Sequence, residues 1–311
     1  MKGWLVNDCL TTIPNTETFW HYLLKWNQEL EDKTGGYTDY SVLAQKIENN
    51  YMKANDKPTY IIRNGTFFRH MNIPIHQISL IQDSFLHESS LFQKQCDILQ
   101  KSKCVVFNSY FMYNLYKNYV KVPYEIIPLG VDSDFFVPSK DIDSDVLPNS
   151  ILFIGSSTKY PKGFDRLINI IEKMVNNNFC LIMKDNYKPP EKLKHRVKVY
   201  NRIPSVKVKQ VINSCSVAVC TSYMETQHLS GIECGLCNIP IVGFPVGIYD
   251  LLRDQDGWGF TVDTVEDAIE KLNFILNNKN KFSPREVMIK NGFDLHTCCK
   301  RWQKLIKDVH S

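Results

Sequence analysis

The stretch SVAVCTSYMETQHLSGIECGLCNIPIVGF, residues 216–244, places an apolar run at each end of a segment with helical character. The runs 216–220 and 239–244 are short and nearly continuous, which is typical of strands buried on both faces of a parallel sheet. The intervening helix is expected to begin near Leu229 or Ser230. The stretch therefore predicts a strand–helix–strand unit whose two strands are parallel.

The same alternation extends over most of the chain, and Thr264 is the predicted N-cap of a late helix. Further C-terminal strands are predicted at 151–155, 179–184, 197–201 and 259–262. The N-terminal half predicts strands at 3–7, 59–63, 76–82, 103–108 and 124–129, helices at 16–30, 40–50, 89–99 and 109–119, and a loop over 8–20. Both halves are thus predicted to be α/β domains.

A chain of 311 residues exceeds one ordinary hydrophobic core, so two domains are expected. The segment 138–150, rich in Asp, Ser and Pro, reads as a linker between domains 1–137 and 151–293. The last segment, 294–311, predicts an amphipathic helix with a basic face. Packing back onto the first domain is favoured for this helix, and a peripheral membrane contact is the alternative.

The composition is that of a globular protein, with 43% hydrophobic and 23% charged residues. A net charge of +4 is small for this length, so nucleic acid is not favoured as a partner. Because no apolar run is long enough for a membrane span and no leader is visible, a cytoplasmic location is expected. The richness in Asn and Lys suggests an AT-rich source genome, such as a viral one.

The ten cysteines are interpreted as reduced thiols in apolar positions. Cys234 and Cys237 form a CxxC pair, but no second pair follows at zinc-ligand spacing, so core packing is favoured. Three Asp-x-Asp patterns lie in turns or near the linker, where such patterns arise readily, and no metal site is predicted. Their aspartates are Asp132, Asp134, Asp143, Asp145, Asp254 and Asp256.

Two glutamates flank the start of the predicted helix in the opening stretch. Glu225 follows the strand end, whereas Glu233 lies about one turn inside the helix. A carboxylate can accept two hydrogen bonds from a vicinal diol. The two glutamates can therefore bind two different pairs of sugar hydroxyls. The backbone amides of 226–230, at the positive end of the helix, can hold a diphosphate. Two solvated acids at a helix start are the alternative reading.

The loop after the predicted strand 151–155 carries Gly155, Lys159 and Lys162. Ligands of open α/β sheets bind beyond the carboxyl ends of the strands, where these ammonium groups could contact phosphates. The loop is neither a P-loop nor a GxGxxG motif, and lysines in loops are usually only solvated.

Together these features resemble the retaining, nucleotide-sugar-dependent glycosyltransferases of family 4. The resemblance is carried by IPLGVDSDFF (127–136), KGFDRLI (162–168), the E-x7-E motif in ETQHLSGIECG (225–235) and PVGIYDLL (245–252). It implies the GT-B fold, in which two Rossmann-like domains with parallel sheets face an interdomain cleft. The N-terminal half matches mainly through LIQDSF (80–85) and CDILQKSKCVVFNS (96–109).

The resemblance also implies roles for individual residues. Glu225 would contact the donor sugar and stabilise charge at its anomeric centre, and Glu233 would bind the ribose. Lys162, with Lys159, would neutralise the leaving diphosphate without a metal. The base of the nucleotide would lie against Arg202 and Ile203. The remaining expected donor contacts come from the two strand-end loops, at Gly155, Thr226, Gln227, His228 and Leu229.

The chain departs from the family pattern at three places. Ser157 stands where an arginine is usual. Thr226, Gln227 and His228 replace small residues, which is expected either to narrow the sugar pocket or to change how the donor is recognised. Asp83 and His87 are the acceptor-side candidates, although the usual His-Asp pair is absent.

The expected function is retaining transfer of a sugar from a UDP- or GDP-linked donor to a hydroxyl acceptor, with no tightly bound cofactor. A glycan or lipid-linked sugar is the favoured acceptor, by analogy. A nucleotide-sugar epimerase of the same fold and a non-catalytic nucleotide-sugar-binding protein remain alternatives.

Overall fold

The computed structural model describes residues 3–6, 10–13, 52–53, 55, 57–64, 73–81 and 89–310. The chain divides into two compact units. Unit 1 comprises Met1–Pro128 and Leu295–Ser311, and unit 2 comprises Leu129–Asp294. The segment predicted as a linker, 138–150, lies inside unit 2, where Asp143 is buried and accepts a hydrogen bond from Tyr200.

Unit 1 contains a six-stranded sheet in the order β2-β1-β3-β4-β5-β6. Its strands are β1 Gly3–Val6, β2 Leu10–Ile13, β3 Tyr60–Asn64, β4 His76–Ile81, β5 Cys104–Phe107 and β6 Tyr124–Ile126. Neighbouring strands are parallel except for β2, which pairs antiparallel with β1. The prediction of a continuous loop over 8–20 was therefore wrong at β2, because three of the four residues of LTTI are β-branched and favour a strand.

Three helices are described in unit 1, at Ser89–Leu99, Tyr110–Tyr116 and Leu295–His310. The helices predicted at 16–30 and 40–50 lie outside the described residues. Along the C-terminal helix the predicted apolar stripe is buried, with Trp302 only 1% exposed and Cys298 Sγ donating to Pro128 O at 3.0 Å. This burial favours the packed helix over the membrane-surface alternative. Within the described part of the chain, no helix is both long and apolar enough to span a bilayer.

Unit 2 contains a fully parallel sheet in the order β12-β11-β10-β7-β8-β9. Its strands are β7 Ile151–Gly155, β8 Phe179–Met183, β9 Val197–Asn201, β10 Val217–Cys220, β11 Ile241–Gly243 and β12 Gly259–Thr261. The connecting helices and 3-10 turns are Phe164–Lys173, Glu191–Leu193, Ser205–Ser214, Leu229–Leu236, Tyr249–Leu252, Val265–Asn277, Lys279–Lys281 and Pro284–Lys290. All six strands predicted for this half are confirmed.

Both faces of this sheet are covered, which explains the continuous apolar runs. Ala218 packs in one hydrophobic cluster, whereas its neighbour Val219 packs in the other. Successive side chains of a strand point to opposite faces, so a strand between two layers must be apolar throughout. The predicted N-cap is also confirmed, since Thr264 Oγ1 accepts a hydrogen bond from Asp267 N at 3.1 Å.

The described cysteines support their reading as core residues. All nine are free and buried, including Cys234 and Cys237. Burial raises the pKa of the Cys237 thiol to about 12, with a further contribution from Glu233, so this thiol is protonated at neutral pH.

Candidate functional site

The strand order of unit 2 has a switch point between β7 and β10. From β7 the chain proceeds outward through β8 to β9, and then returns to place β10 on the other side of β7. In open α/β sheets, ligands bind beyond the carboxyl ends of the strands at such a point. The two loops that leave it are 156–163 and 221–228, and they contain both residues predicted to be catalytic.

Backbone contacts hold these two loops together. Tyr223 N donates to Pro161 O at 2.8 Å, and Thr221 Oγ1 donates to Lys162 O at 3.1 Å. Gly163 has a φ of 63°, and a Cβ at this position would lie 1.9 Å from Thr221 O. Glycine is therefore required both by the left-handed backbone and by the close approach of the loops.

The contact between the loops brings Lys162 and Glu225 together. Lys162 Nζ lies 2.6 Å from Glu225 Oε1, and the two side chains are 25% and 12% exposed. Ser222 Oγ donates to the same Glu225 oxygen at 2.7 Å. Residues 63 positions apart in the sequence thus form one partly buried, charge-assisted hydrogen-bond group.

The electrostatics of this group keep Glu225 ionised. Burial raises the pKa of its carboxyl, but the charges of His228 and Lys162 and the hydrogen bonds from Lys162 and Ser222 outweigh burial and lower the pKa. Burial also lowers the pKa of His228 to about 4. Because that imidazole is neutral near pH 7, Lys162 is the cation that holds the Glu225 carboxylate under those conditions.

The Leu229–Leu236 helix starts directly after this group. Among the first N–H groups of the helix, those of Gly231 and Ile232 donate to His228 O, at 3.1 and 3.4 Å. The aligned peptide dipoles give this end of the helix a partial positive charge. Glu233 is the fifth residue of the helix and is partly buried. The helix therefore has a positive end beside Glu225 and a carboxylate on its second turn.

Gln227 is held differently from the prediction. It is 1% exposed, its Nε2 donates to Leu129 O at 2.8 Å, and its Oε1 accepts from Leu129 N at 2.7 Å. Both ends of the amide are engaged by backbone. The side chain ties the start of unit 2 to the loop, and Thr226 beside it is partly buried.

The imidazole of His228 is bonded on both of its ring nitrogens. Its Nδ1 lies 2.5 Å from Tyr249 Oη, and its Nε2 lies 3.2 Å from Ser230 Oγ. Its φ of 71° and ψ of 71° are left-handed, which costs a residue with a Cβ about 1–3 kcal/mol. The imidazole is thus bonded to its own domain. Leu229, the first helical residue, is 38% exposed.

The first loop contains the other predicted phosphate contacts. Lys159 is highly exposed and lies 3.7 Å from the Asp165 carboxylate. Gly155 ends β7, where a Cβ would lie 2.6 Å from the Phe153 ring. Ser157, at the position of the family arginine, donates its N–H and hydroxyl to the carboxylate of Asp185.

Arg202 and Ile203 follow β9 on the same edge of the sheet. Arg202 is exposed, has a φ of 51°, and donates from Nε to Lys184 O at 2.9 Å. Ile203 packs against the core. The acceptor-side candidates, Asp83 and His87, lie outside the described residues.

Among the described residues, no group of three or more His, Cys, Asp and Glu side chains is arranged to hold a metal ion. Two aspartates of the Asp-x-Asp patterns have partners within the chain. Asp143 pairs with Lys207 at 2.8 Å, and Asp132 accepts from Asp134 N at 2.9 Å.

Three residues at this edge were missed by the sequence reasoning. Ser222 bonds Glu225, Tyr249 bonds His228, and Asp185 bonds Ser157. Ser222 could have been noticed because it is the second residue after the end of β10. Tyr249 and Asp185 are distant in sequence from their partners, and no sequence signal connects them.

Comparison with known proteins found one family model that matches part of the chain. Residues 148–278 match the family model described as Glycosyl transferases group 1, a range that contains both loops and both glutamates. The comparison with curated proteins found no match.

Solved structures resemble the whole chain in fold. Sucrose-phosphate synthase from Thermosynechococcus elongatus aligns with a TM-score of 0.73 at 16% identity, covering 96% of this chain and 81% of the other. HepE from Anabaena, in complex with UDP-glucose, gives 0.70 at 16% identity and covers 86% and 82%. A TarM variant from S. aureus, in complex with Fondaparinux, alpha-GlcNAc-glycerol and UDP, gives 0.67 at 17% identity and covers 88% and 60%.

The chain therefore has the GT-B fold, and its two sheets are the expected α/β sheets. The family match over most of unit 2, together with the fold, supports a nucleotide-sugar glycosyltransferase.

Proposed function

We propose that the protein transfers a sugar from a nucleotide diphosphate-sugar to a hydroxyl acceptor, with retention of anomeric configuration and without a metal. The observation that carries the proposal is the Lys162–Glu225 pair at the switch point of unit 2, immediately before a helix that contains Glu233.

In this proposal the donor lies along the edge of β7 and β10. The diphosphate contacts the N–H groups at the start of the Leu229–Leu236 helix, and Glu233 accepts hydrogen bonds from the ribose diol. The base of the nucleotide lies against Arg202 and Ile203. HepE has been solved with UDP. The pneumococcal O-GlcNAc transferase GtfA, which aligns with a TM-score of 0.62 at 13% identity, has been solved with UDP and GlcNAc. UDP-sugars are therefore the first donors to test, followed by GDP-sugars.

Lys162 supplies the positive charge that the leaving diphosphate needs. Its ammonium already faces a carboxylate in a partly buried place, where charge interactions are stronger than in water. When the diphosphate binds, Lys162 can interact with the phosphate and Glu225 at once. Lys159 is exposed and can add a second contact from the same loop.

The transfer breaks the bond between the anomeric carbon and the phosphate oxygen. It forms a bond from the acceptor oxygen to that carbon on the same face of the sugar, and the acceptor proton passes to the leaving phosphate. Glu225 contacts the donor sugar and stabilises positive charge developing at the anomeric centre. No separate protein base is required.

The proposed acceptor is a glycan or a lipid-linked sugar, held mainly by the N-terminal domain. The TarM structure contains Fondaparinux, and a GtfA structure contains GlcNAc. We retain a cytoplasmic location and a peripheral membrane contact as parts of this proposal, the latter through basic residues of the C-terminal helix such as Lys300 and Lys307.

The experiment incubates the protein with UDP-, GDP- and ADP-sugars and a panel of glycan acceptors, in the presence of EDTA. Product is followed by mass spectrometry, and its anomeric configuration by NMR. Glu233→Ala is expected to weaken donor binding about tenfold or more, because a charged acceptor contributes about 1.5–3 kcal/mol per bond. Glu225→Ala is expected mainly to lower kcat. Glu270→Ala, on an exposed helix position, is the control.

Four results would contradict the proposal. Full activity of both glutamate variants would refute the site, and loss of activity in EDTA would refute metal independence. Conversion of the donor without acceptor would identify an epimerase, whereas binding and release of unchanged donor would identify a binding protein.

A further inference from the structure

His228 has a backbone conformation that its side chain does not favour. The residue has positive φ and ψ at the N-cap of the Leu229–Leu236 helix, a conformation open mainly to glycine. Such strain persists only where the surroundings fix the residue, and it concentrates at functional sites.

The surroundings of His228 fix it through its imidazole. Tyr249 Oη lies 2.5 Å from Nδ1, and Ser230 Oγ lies 3.2 Å from Nε2, so both ring nitrogens have partners. Tyr249 is itself fully buried and stacks on Trp258 with ring centroids 5.6 Å apart. The backbone is held on the same side, because Ile248 N donates to Gln227 O at 3.2 Å.

The neighbouring glycines leave room for this contact. At Gly231, a Cβ would lie 2.2 Å from Tyr249 Oη and 2.6 Å from His228 Nδ1. At Gly243, a Cβ would lie 2.6 Å from the Tyr249 ring. The side chains of His228 and Tyr249 therefore occupy the space that a Cβ at Gly231 or Gly243 would take. Their contact is closely packed against both glycines.

We propose that His228, held by Tyr249, is a positioning residue that fixes the turn 225–229, so that Glu225 and the first amides of the helix face one donor. The inference rests on the proposed function. One end of the turn is held where Glu225 meets Lys162 and Ser222, and the other where His228 meets Tyr249. Loss of the second contact leaves the turn held at Glu225 and at Gln227, whose amide bonds Leu129, but no longer at its histidine end.

Tyr249→Phe tests this directly, because it removes one hydroxyl and keeps the ring that stacks on Trp258. We expect kcat to fall about tenfold while the donor KM changes less than about twofold, since a displaced Glu225 acts on the transition state. The matched control is Tyr200→Phe. It also removes one phenolic hydroxyl in the same unit, which donates to Asp143 at 2.6 Å.

Substitutions of His228 separate strain from contact. Glycine relieves the left-handed backbone but removes the imidazole, whereas asparagine tolerates that backbone and keeps a polar side chain. We expect His228→Gly to have lowered kcat without loss of stability, and His228→Asn to recover part of kcat. Wild-type kcat in His228→Gly would overturn the inference.

A second readout does not depend on activity. The pKa of the Glu225 carboxyl, measured by ¹³C NMR, is expected to rise in Tyr249→Phe because its contact with Lys162 loosens. An unchanged pKa in that variant would overturn the inference, whether or not the protein transfers sugar. If the wild-type protein neither binds nor transfers a nucleotide-sugar, the proposed function is refuted. That result would not by itself refute the positioning role of His228, which the pKa of Glu225 tests.

Discussion

Replacement of Lys162 by Met tests how strongly its ion pair with Glu225 stabilises the site. The two side chains are 25% and 12% exposed. Breaking a fully buried pair costs about 3–5 kcal/mol, and an exposed pair contributes at most about 1 kcal/mol. This pair lies between those limits, and Ser222 still bonds Glu225 after the change. We therefore expect Lys162→Met to lose about 2 kcal/mol of unfolding free energy.

The assay is a double-mutant cycle with Lys162→Met, Glu225→Gln and the double variant, measured by urea unfolding at pH 7. Since the two groups touch, we expect a coupling energy of about 1–2 kcal/mol. The matched control is Lys173→Met, which removes an exposed pair with Glu266 and is expected to cost less than about 0.5 kcal/mol. A coupling energy below about 0.5 kcal/mol would refute the reasoning.

The same cycle predicts a pH dependence. The folded-state pKa of Glu225 is below its usual value of 4.5, so its contribution to stability is present above that value and lost as the pH falls through the folded pKa. Without Lys162, burial is offset less, because only Ser222 and His228 remain to lower the pKa of the Glu225 carboxyl, and the pKa rises. In Lys162→Met the carboxyl should therefore protonate at a higher pH than in the wild type.

Two further predictions concern His228 and the glycines. Burial lowers the pKa of His228 from 6.5 to about 4. The imidazole therefore binds a proton more tightly in the unfolded chain than in the folded protein. The wild type should lose stability as the pH falls from 6.5 to about 4. At about 1.4 kcal/mol per pH unit the loss is at most about 3.5 kcal/mol. His228→Asn should show a smaller loss in urea unfolding, and an equal loss would contradict the assignment. Gly163→Ala places a Cβ 1.9 Å from Thr221 O, whereas at Gly257, with a φ of 89°, the nearest atom is 3.6 Å away. Thermal unfolding should show a loss of about 1 kcal/mol for Gly257→Ala, from backbone strain alone, and at least about twice that for Gly163→Ala; equal losses would exclude the close contact.

The sequence determined the α/β class and most of the strands. A strand that is buried on both faces must be apolar at every position, so β7, β8, β10 and β11 are visible as short continuous runs. The strand β2 was not predicted, since its four residues were included in the loop predicted over 8–20.

The sequence also predicted which loops carry the candidate donor-binding residues, because the loops after β7 and β10 follow directly from the strand pattern. The spacing of Glu225 and Glu233 places one before the helix and the other on its second turn, and this is local information. These site residues remain a proposal until the variants are measured.

Only the tertiary structure decided the partners of these side chains. Lys162 meets Glu225 because β7 and β10 are neighbours, although they are separated by two strands along the chain. Gln227 and His228 were expected to face the sugar, but their polar atoms bond to Leu129 and Tyr249. The physical reason is that hydrophobic periodicity encodes which positions are buried, whereas the contacts of a polar side chain depend on which distant segments the packing brings beside it.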